Sequence, residues 1–446
     1  MPAPDDTIVA LATPPGTGGV GVVRVSGGDT ERIARAMVGC LPEPRVATVA
    51  TFVDARGEPL DRGLALYFPA PASFTGESVL ELHGHGGPIV MSLLVDAAVG
   101  LGARRAEPGE FTKRAFLNDK LDLAQAEAVA DLIESGTAQA ARAALRSLNG
   151  AFSEVVNDLA AQLTAIRVYV EAAIDFPEEE IDFLDDEELA ERLARCAAAF
   201  EALLSTARIG RVMRDGYQVV IVGKPNAGKS SLMNRLSGEE TAIVTEIAGT
   251  TRDVLRERIN IDGLAVELVD TAGLRDNPGR IEEVGIRRAR KALAEADAVL
   301  WIQDATEAVP DRIEESVLDD VPVTIVRNKI DLTGDRARFV EGGLPVVMLS
   351  ARTGEGLEAL RQHIRDLAGF RDLGESAFTA RRRHVEALRD AQQRFEAGRA
   401  ALRDARAGEL LAEELRLAQR ALSTITGEVT ADDLLGRIFS EFCIGK

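Results

Sequence analysis

The chain is 446 residues long, 46% hydrophobic and only 4% aromatic, which suits about three domains with aliphatic cores and helices rich in alanine, leucine and arginine. Seventy-two acidic residues against 52 basic ones leave a formal net charge of −20. That balance excludes broad non-specific binding to nucleic acid, because counterion release rewards positive surface, and it confines any such contact to local basic patches.

The opening MPAPDDTIVA carries acidic rather than basic residues before its first apolar run, and no later run reaches the length of a membrane span. The expectation is a soluble, cytoplasmic protein with no membrane contact. Residues 7–118 read as a mixed α/β domain, with β-like runs at Thr7–Ala12, Val20–Val25, Leu64–Phe68 and Ser78–Leu82 between glycine and proline turns. Gly16, Gly18 and Gly21 fit G-x-G-x-x-G but enter a strand-like segment rather than a helix, so the dinucleotide reading is discarded. His83 and His85, in HGHGG, read as residues of a glycine turn without a third metal ligand.

From Lys120 the pattern turns helical. Leu148, Phe152, Val155, Leu159, Leu163, Ile166, Val170 and Ile174 predict one long core-facing helix, closed by Phe176-Pro177 and an acidic loop. A second helix, marked by Leu189, Leu193, Cys196, Phe200 and Leu204, leads to a basic connector, Arg208–Arg214. Residues 217–369 alternate strands and helices as a parallel α/β domain does. Ser376–Ala407, Glu409–Ile425 and Asp432–Phe442 are helical again. Neither helical half buries its apolar stripe alone, so the predicted architecture is one helical domain interrupted by an inserted α/β domain. Its domains are 1–118, 119–215, 216–370 and 371–446. Lys113-Arg114, Arg208–Arg214 and Arg381-Arg382-Arg383 are either contacts for RNA or a partner, or solvated helix faces. Cys40, Cys196 and Cys443 are too dispersed for a disulfide framework or a metal site, and the terminal CIGK ends in Lys446, which is no prenylation signal.

The inserted domain carries the chemistry. GKPNAGKS, Gly223–Ser230, follows the β-branched run Gln218–Val222 and precedes a helical turn, which is the context of a phosphate loop. Asn226, Ala227, Gly228, Lys229, Ser230 and Ser231 would surround the phosphates, with Lys229 on the β- and γ-phosphates and the Ser230 hydroxyl on Mg²⁺. Thr245, Glu246, Ile247, Ala248, Gly249, Thr250 and Thr251 form the natural first switch, Thr251 being the second Mg²⁺ hydroxyl. Asp270, Thr271, Ala272 and Gly273 end a strand and bring a carboxylate near Mg²⁺. Asn328, Lys329 and Asp331 end another; a carboxylate there accepts guanine N1–H and its exocyclic amine, a donor pair that adenine lacks. Ser350, Ala351 and Arg352 would support the base. These are the motifs of a GTPase, in order and at strand ends. Leu274 follows Gly273 and cannot orient a water, so that role falls to Glu282 or its neighbour Glu283; positive charge at the transition state would come from an arginine finger or from a monovalent cation, for which Asn226 offers a neutral oxygen.

At this point the chain resembles the MnmE, or TrmE-type, family of tRNA-modification GTPases. The resemblance rests on TPPGTGGVGVVRVSG from Thr13, ELHGHGG from Glu81, GEFTKRAFLNDKLDLAQAEAVADLI from Gly109, the GTTRD and DTAGLR motifs, and the terminal GRIFSEFCIGK. It implies an N-terminal α+β folate-binding domain that dimerises, a discontinuous helical domain and an inserted Ras-like P-loop GTPase domain. It further implies a homodimer that joins the FAD-carrying flavoprotein MnmG in a heterotetramer. Together they would modify C5 of the wobble uridine of certain tRNAs, with 5-formyl- or 5,10-methylene-tetrahydrofolate as the one-carbon source. By the same resemblance Arg24, Glu81, Lys120 and Lys446 bind folate, and Asn226, Thr245, Ile247 and Thr250 hold K⁺ in place of an arginine finger. Glu282 is then the catalytic glutamate beside Lys229. The rival expectation is a regulatory GTPase of the ribosome-assembly kind without one-carbon chemistry; the N-terminal domain and the CIGK terminus argue against it.

Overall fold

The computed structural model describes residues 6–175, 187–239, 256–270, 296–307, 321–369, 377–428, 432–440 and 442–445. They fall into two compact units: Met1–Ala130 with Leu148–Asp175 and Ala400–Lys446, and Asp131–Ser147 with Phe176–Arg399.

The first unit opens with β1 (Ile8–Leu11) and β2 (Gly18–Ser26), followed by α1 (Thr30–Val38), β3 (Thr48–Val53), β4 (Pro59–Phe68), β5 (Val79–Gly86), α2 (Pro88–Gly100), β6 (Arg104–Arg105) and α3 (Glu110–Leu117). The strands make one sheet in the order β3-β4-β5-β2-β1-β6, antiparallel except where β1 meets β6. Alternation along the strands sends Val9, Val23, Val25, Leu80 and Leu82 to one face, where Ile33 and Met37 of α1 and Met91 and Leu94 of α2 cover them. The opposite face is closed near β1 by Phe111 of α3, against Ile8 and Ala10.

His83 and His85 are not in a turn. Both belong to β5, where His83 meets Glu81 and His85 meets Asp61. Gly86, one of the glycines that suggested a turn, is instead a place of close approach: a Cβ there would lie 2.7 Å from the Gly18 carbonyl of β2.

Arg114, expected at a surface, is fully buried on α3. Its guanidinium donates to Asp6, Glu77 and Glu110, at 2.7, 3.1 and 3.0 Å.

The predicted long helix is α6 (Ala151–Asp175), preceded by α4 (Leu123–Glu134) and α5 (Ala138–Leu148); Gly150, at φ 96°, leaves only Leu148 of the marked residues on α5. Along α6 Phe152, Val156, Leu159, Leu163, Ile166 and Val170 are buried, whereas Val155 is 43% exposed.

In the second unit α7 (Glu187–Asp215) runs straight through the supposed basic connector. Arg211 pairs with Asp297, while Arg214 reaches Asp131 and Asp215. Then come β7 (Tyr217–Gly223), α8 (Lys229–Glu239), β8 (Arg256–Ile261), β9 (Leu264–Asp270), β10 (Ala298–Asp304), β11 (Val323–Asn328), α9 (Ile330–Thr333), β12 (Arg338–Val340), β13 (Val346–Met348) and α10 (Leu357–Leu367). The sheet order is β12-β13-β11-β10-β7-β9-β8, with a parallel centre and an antiparallel strand at each edge. Near-continuous apolar runs such as Val219–Ile221 and Val299–Leu300 are what a sheet covered on both faces requires.

α11 (Arg382–Ala405) starts later than the predicted Ser376, and Arg381, just before it, is buried with its guanidinium 2.7 Å from Asp131. Phe395 of α11 packs on Phe200 of α7, ring centres 5.3 Å apart. α12 (Gly408–Thr426) lies along α6 in the first unit, where Arg167 donates to Gln419 at 2.6 Å. α13 (Asp432–Ser440) sets Leu435, Ile438 and Phe439 against Leu123 and Ala126. Among the described residues no helix is long and apolar enough to cross a membrane.

Candidate active site

The GTPase motifs that can be located gather at one end of the second sheet. β7 ends at Gly223, and the loop Lys224–Gly228 delivers the chain into α8, whose first residue is Lys229. The first-turn amides of α8 have no acceptor inside the helix and a partial positive charge, so they favour an anion placed before them. Gly228 holds φ 97°, and a Cβ there would strike Asn328 Nδ2; only glycine lets the loop come this close to β11. Lys229 is buried, with Nζ donating to the carbonyls of Gly223 at 2.9 Å and Lys224 at 2.8 Å. Asn226 sits at the exposed tip in the left-handed region, φ 65°, and Ser230 and Ser231 are exposed on the first turn.

Asp270 closes β9 opposite Ile221 of β7, so its backbone lies at the same sheet end as the loop. One strand away, Asn328 closes β11 and ties the site together. Its Nδ2 donates to the Ala227 carbonyl at 3.0 Å, while its Oδ1 accepts from the amides of Ala351 at 2.9 Å and Lys329 at 2.8 Å. The Asp331 carboxylate is aimed by Ser350, whose hydroxyl donates to Oδ1 at 2.6 Å, and Arg352 stands 3.9 Å from Oδ2. Ser350 is wholly buried and its hydroxyl also accepts from Thr353 N. The arrangement is a carboxylate fixed at the far side of a loop of amides and one lysine, with the space between them at the carboxyl ends of parallel strands.

One residue here escaped the sequence reading. Asp304 ends β10 directly opposite Asn328, and its Oδ2 lies 2.6 Å from Lys329 Nζ. Partial burial pushes its carboxyl up, but hydrogen bonds from Lys329 and Thr306 outweigh this and hold it down at about 2. The available signal was an aspartate closing the apolar run Ala298–Ile302, the same position in its strand that Asp270 and Asn328 hold in theirs. Thr245–Thr251, Thr271–Gly273 and Glu282 lie outside the described residues.

In the first unit, Arg24 and Glu81 face each other across β2 and β5. Arg24 Nε donates to Glu81 Oε1 at 2.9 Å, His83 Nε2 lies 3.2 Å from Oε2, and the guanidinium stands 5.7 and 5.8 Å from the ring centres of Phe74 and Phe111. Lys120 follows α3, its amide bonded to the Ala115 carbonyl, and its methylenes pass near Gly76. Lys446 lies outside the described residues; the adjoining Ile444 bridges to Pro108, and Gly109 N donates to the Cys443 carbonyl at 3.4 Å.

A strand, a phosphate-loop sequence and a helix, with an Asn-Lys-x-Asp turn at a neighbouring strand end, define a P-loop protein of the GTPase class. Residues 7–120 match the family model of the GTP-binding protein TrmE N-terminus and residues 123–443 that of the MnmE helical domain. The chain is 56% identical over 457 residues to the tRNA modification GTPase MnmE of Pseudomonas syringae pv. tomato, with all of both chains covered. It belongs to the MnmE family of tRNA modification GTPases. Among solved structures, the G domains of the FeoB iron transporter of T. maritima and of FeoB from Methanococcus jannaschii are 27% and 26% identical. Each match covers 34% of this chain and 98% of the other, with a TM-score of 0.26.

Proposed function

We propose that the chain binds GTP in the second unit and hydrolyses it to drive modification of C5 of the wobble uridine of certain tRNAs. The observation that carries the first half is the Asp331 carboxylate, held by Ser350 and joined through Asn328 to the phosphate loop. A carboxylate fixed in this way accepts two donors from one purine edge and selects guanine.

When GTP enters, Lys229 Nζ exchanges its two carbonyl partners for β- and γ-phosphate oxygens, and Asn226–Ser231 surround the phosphates. The donor set suits a hard cation: the Ser230 hydroxyl with that of Thr251 would hold Mg²⁺, which supplies charge neutralisation when bound. The Asn226 side-chain oxygen, with Thr245, Ile247 and Thr250, would hold K⁺ and bring positive charge to the transferred phosphoryl group. Thr245–Thr251 and Asp270–Gly273 form the switch regions, Ser350–Arg352 back the base, and Glu282 orients the attacking water.

For the first unit we assign tetrahydrofolate binding to Arg24, Glu81, Lys120 and Lys446. Glu81 fits the role, since Arg24 and His83 use two of the roughly four acceptor positions of its carboxylate and leave the others for a pterin donor pair. On the same sheet face Val49 and Leu64, register partners on β3 and β4, are 63% and 39% exposed, which supports a homodimer formed there. The remaining assignments are domains at 1–118, 119–215, 216–370 and 371–446, a cytoplasmic location, and a heterotetramer with the FAD-carrying MnmG that acts on tRNA.

The deciding experiment measures GTP turnover in KCl and NaCl at equal ionic strength, with Asn226→Ala, Glu282→Ala and Asp331→Asn beside the unaltered chain. Strong K⁺ stimulation is expected, lost in Asn226→Ala, with Glu282→Ala binding GTP but inactive. Asp331→Asn should bind GTP at least about a hundredfold more weakly and prefer xanthosine nucleotides, because two charge-assisted hydrogen bonds are lost. Turnover indifferent to the cation overturns the K⁺ assignment, and unchanged base preference in Asp331→Asn overturns the guanine site.

A further inference from the structure

Lys329 is tethered at both ends. Its backbone is left-handed, φ 71°, with the amide held by Asn328 Oδ1 at 2.8 Å, and its ammonium lies 2.6 Å from Asp304 Oδ2. Asp304 is fixed in turn: its Oδ1 accepts from Thr306 N at 3.0 Å and Thr306 Oγ1 at 2.7 Å, and Ala305 N donates to the Asn328 carbonyl at 2.8 Å. The nearby Glu307 does not compete for Lys329, since it pairs with Lys224 at 3.2 Å. The four methylenes of Lys329 are therefore held between two anchors, two residues before Asp331 in the same turn.

A free lysine side chain samples many rotamers and carries its charge into water, and that freedom is lost when it is immobilised on a ligand. Here that ordering precedes the ligand. We infer that Asp304 is a positioning residue for guanine-nucleotide binding, acting through Lys329: it stretches the lysine stem into an apolar bar on which the face of the purine rests while Asp331 takes its edge. This rests on the guanine-site reading above and adds a residue that no GTPase motif in the chain contains.

The test is the release rate of a fluorescent GDP from the full-length chain, followed by chase with excess unlabelled GDP. Asp304→Asn should speed release about tenfold, the worth of one charge-assisted hydrogen bond, and leave the association rate within about twofold. Thr306→Val, which loosens Asp304 alone, should give a smaller rise of about threefold. In a Lys329→Met background, Asp304→Asn should change release by less than about twofold, because the residue it acts through is gone. An equal effect with and without Lys329 would show that Asp304 merely supports the fold, and unchanged release in both Asp304→Asn and Thr306→Val would also overturn the inference. Should Asp304→Asn not fold, the Thr306→Val and Thr306→Val/Lys329→Met pair decides alone. Loss of base discrimination is read separately through Asp331→Asn, so failure of the guanine site and failure of the Asp304 role give different results.

Discussion

Arg24 illustrates how much of a binding residue's character comes from what lies across the strand. On β2 it stands between the buried Val23 and Val25, and the register of β5 gives it Glu81 as a direct partner and the rings of Phe74 and Phe111 as walls. The pair is partly buried, with 24% and 16% of the side chains exposed, so each member sets the other's orientation more firmly than a surface ion pair would. If Glu81 receives a pterin, Arg24→Met should weaken tetrahydrofolate binding about tenfold by leaving the carboxylate free to rotate, and equilibrium fluorescence titration of the isolated full-length chain measures it. Equal affinity would remove Arg24 from the site. Arg114 is the opposite case. In sequence it is half of a basic pair, indistinguishable from a surface charge; three carboxylates from residues 6, 77 and 110 make it a core residue, and only Glu110, one turn earlier on α3, is local.

At the scale of elements, legibility followed chemistry. The strand ends that carry Lys229, Asn328 and Asp331 could be read because phosphate and guanine recognition demand particular residue types at fixed spacing. β3 and the first half of β4 went unread because Val49, Thr51 and Arg62 alternate on a face with no covering layer, leaving no clear apolar stripe. The end of α7 was misread for a related reason: Arg208, Arg211 and Arg214 follow helical spacing, but charge clusters suggest a linker until their partners Asp297 and Asp131 are known. The hairpin of β8 and β9 gives a prediction at this scale. Gly263 turns it at φ 92°, and a Cβ there would lie 2.8 Å from Gln139 Oε1 of α5. Gly263→Ala should destabilise the second unit by about 1–2 kcal/mol through the strained turn, and Gly263→Ala with Gln139→Ala should recover only the part due to the clash. Chemical denaturation of the two variants checks it.

For the molecule as a whole, the two compact units need not share a pH response. His363 on α10 is buried, within 2.8 Å of Thr324 Oγ1 and with its ring centre 4.8 Å from that of Phe339; burial holds its pKa below the ordinary value, outweighing the nearby Asp366 charge. The unfolded chain then binds a proton near pH 6.5 that the folded state refuses. Stability of the second unit should be full above pH 7 and fall as pH drops through about 6.5, by no more than about 1.4 kcal/mol per pH unit for this one group. His363→Gln should flatten that slope in differential scanning calorimetry, and an unchanged slope would assign the effect elsewhere.

The bridge between Pro108 and Ile444 bears on how the protein is made. Synthesis runs from the N-terminus, and Ile444 and Cys443, the partners of residues 108 and 109, emerge only after the second unit, which lies before them in the chain. The first sheet can form early, but these two contacts cannot be made until the whole second unit has left the ribosome. If folate binds beside these contacts, its binding should be a property that nascent chains gain only after the sheet with the phosphate loop has been made.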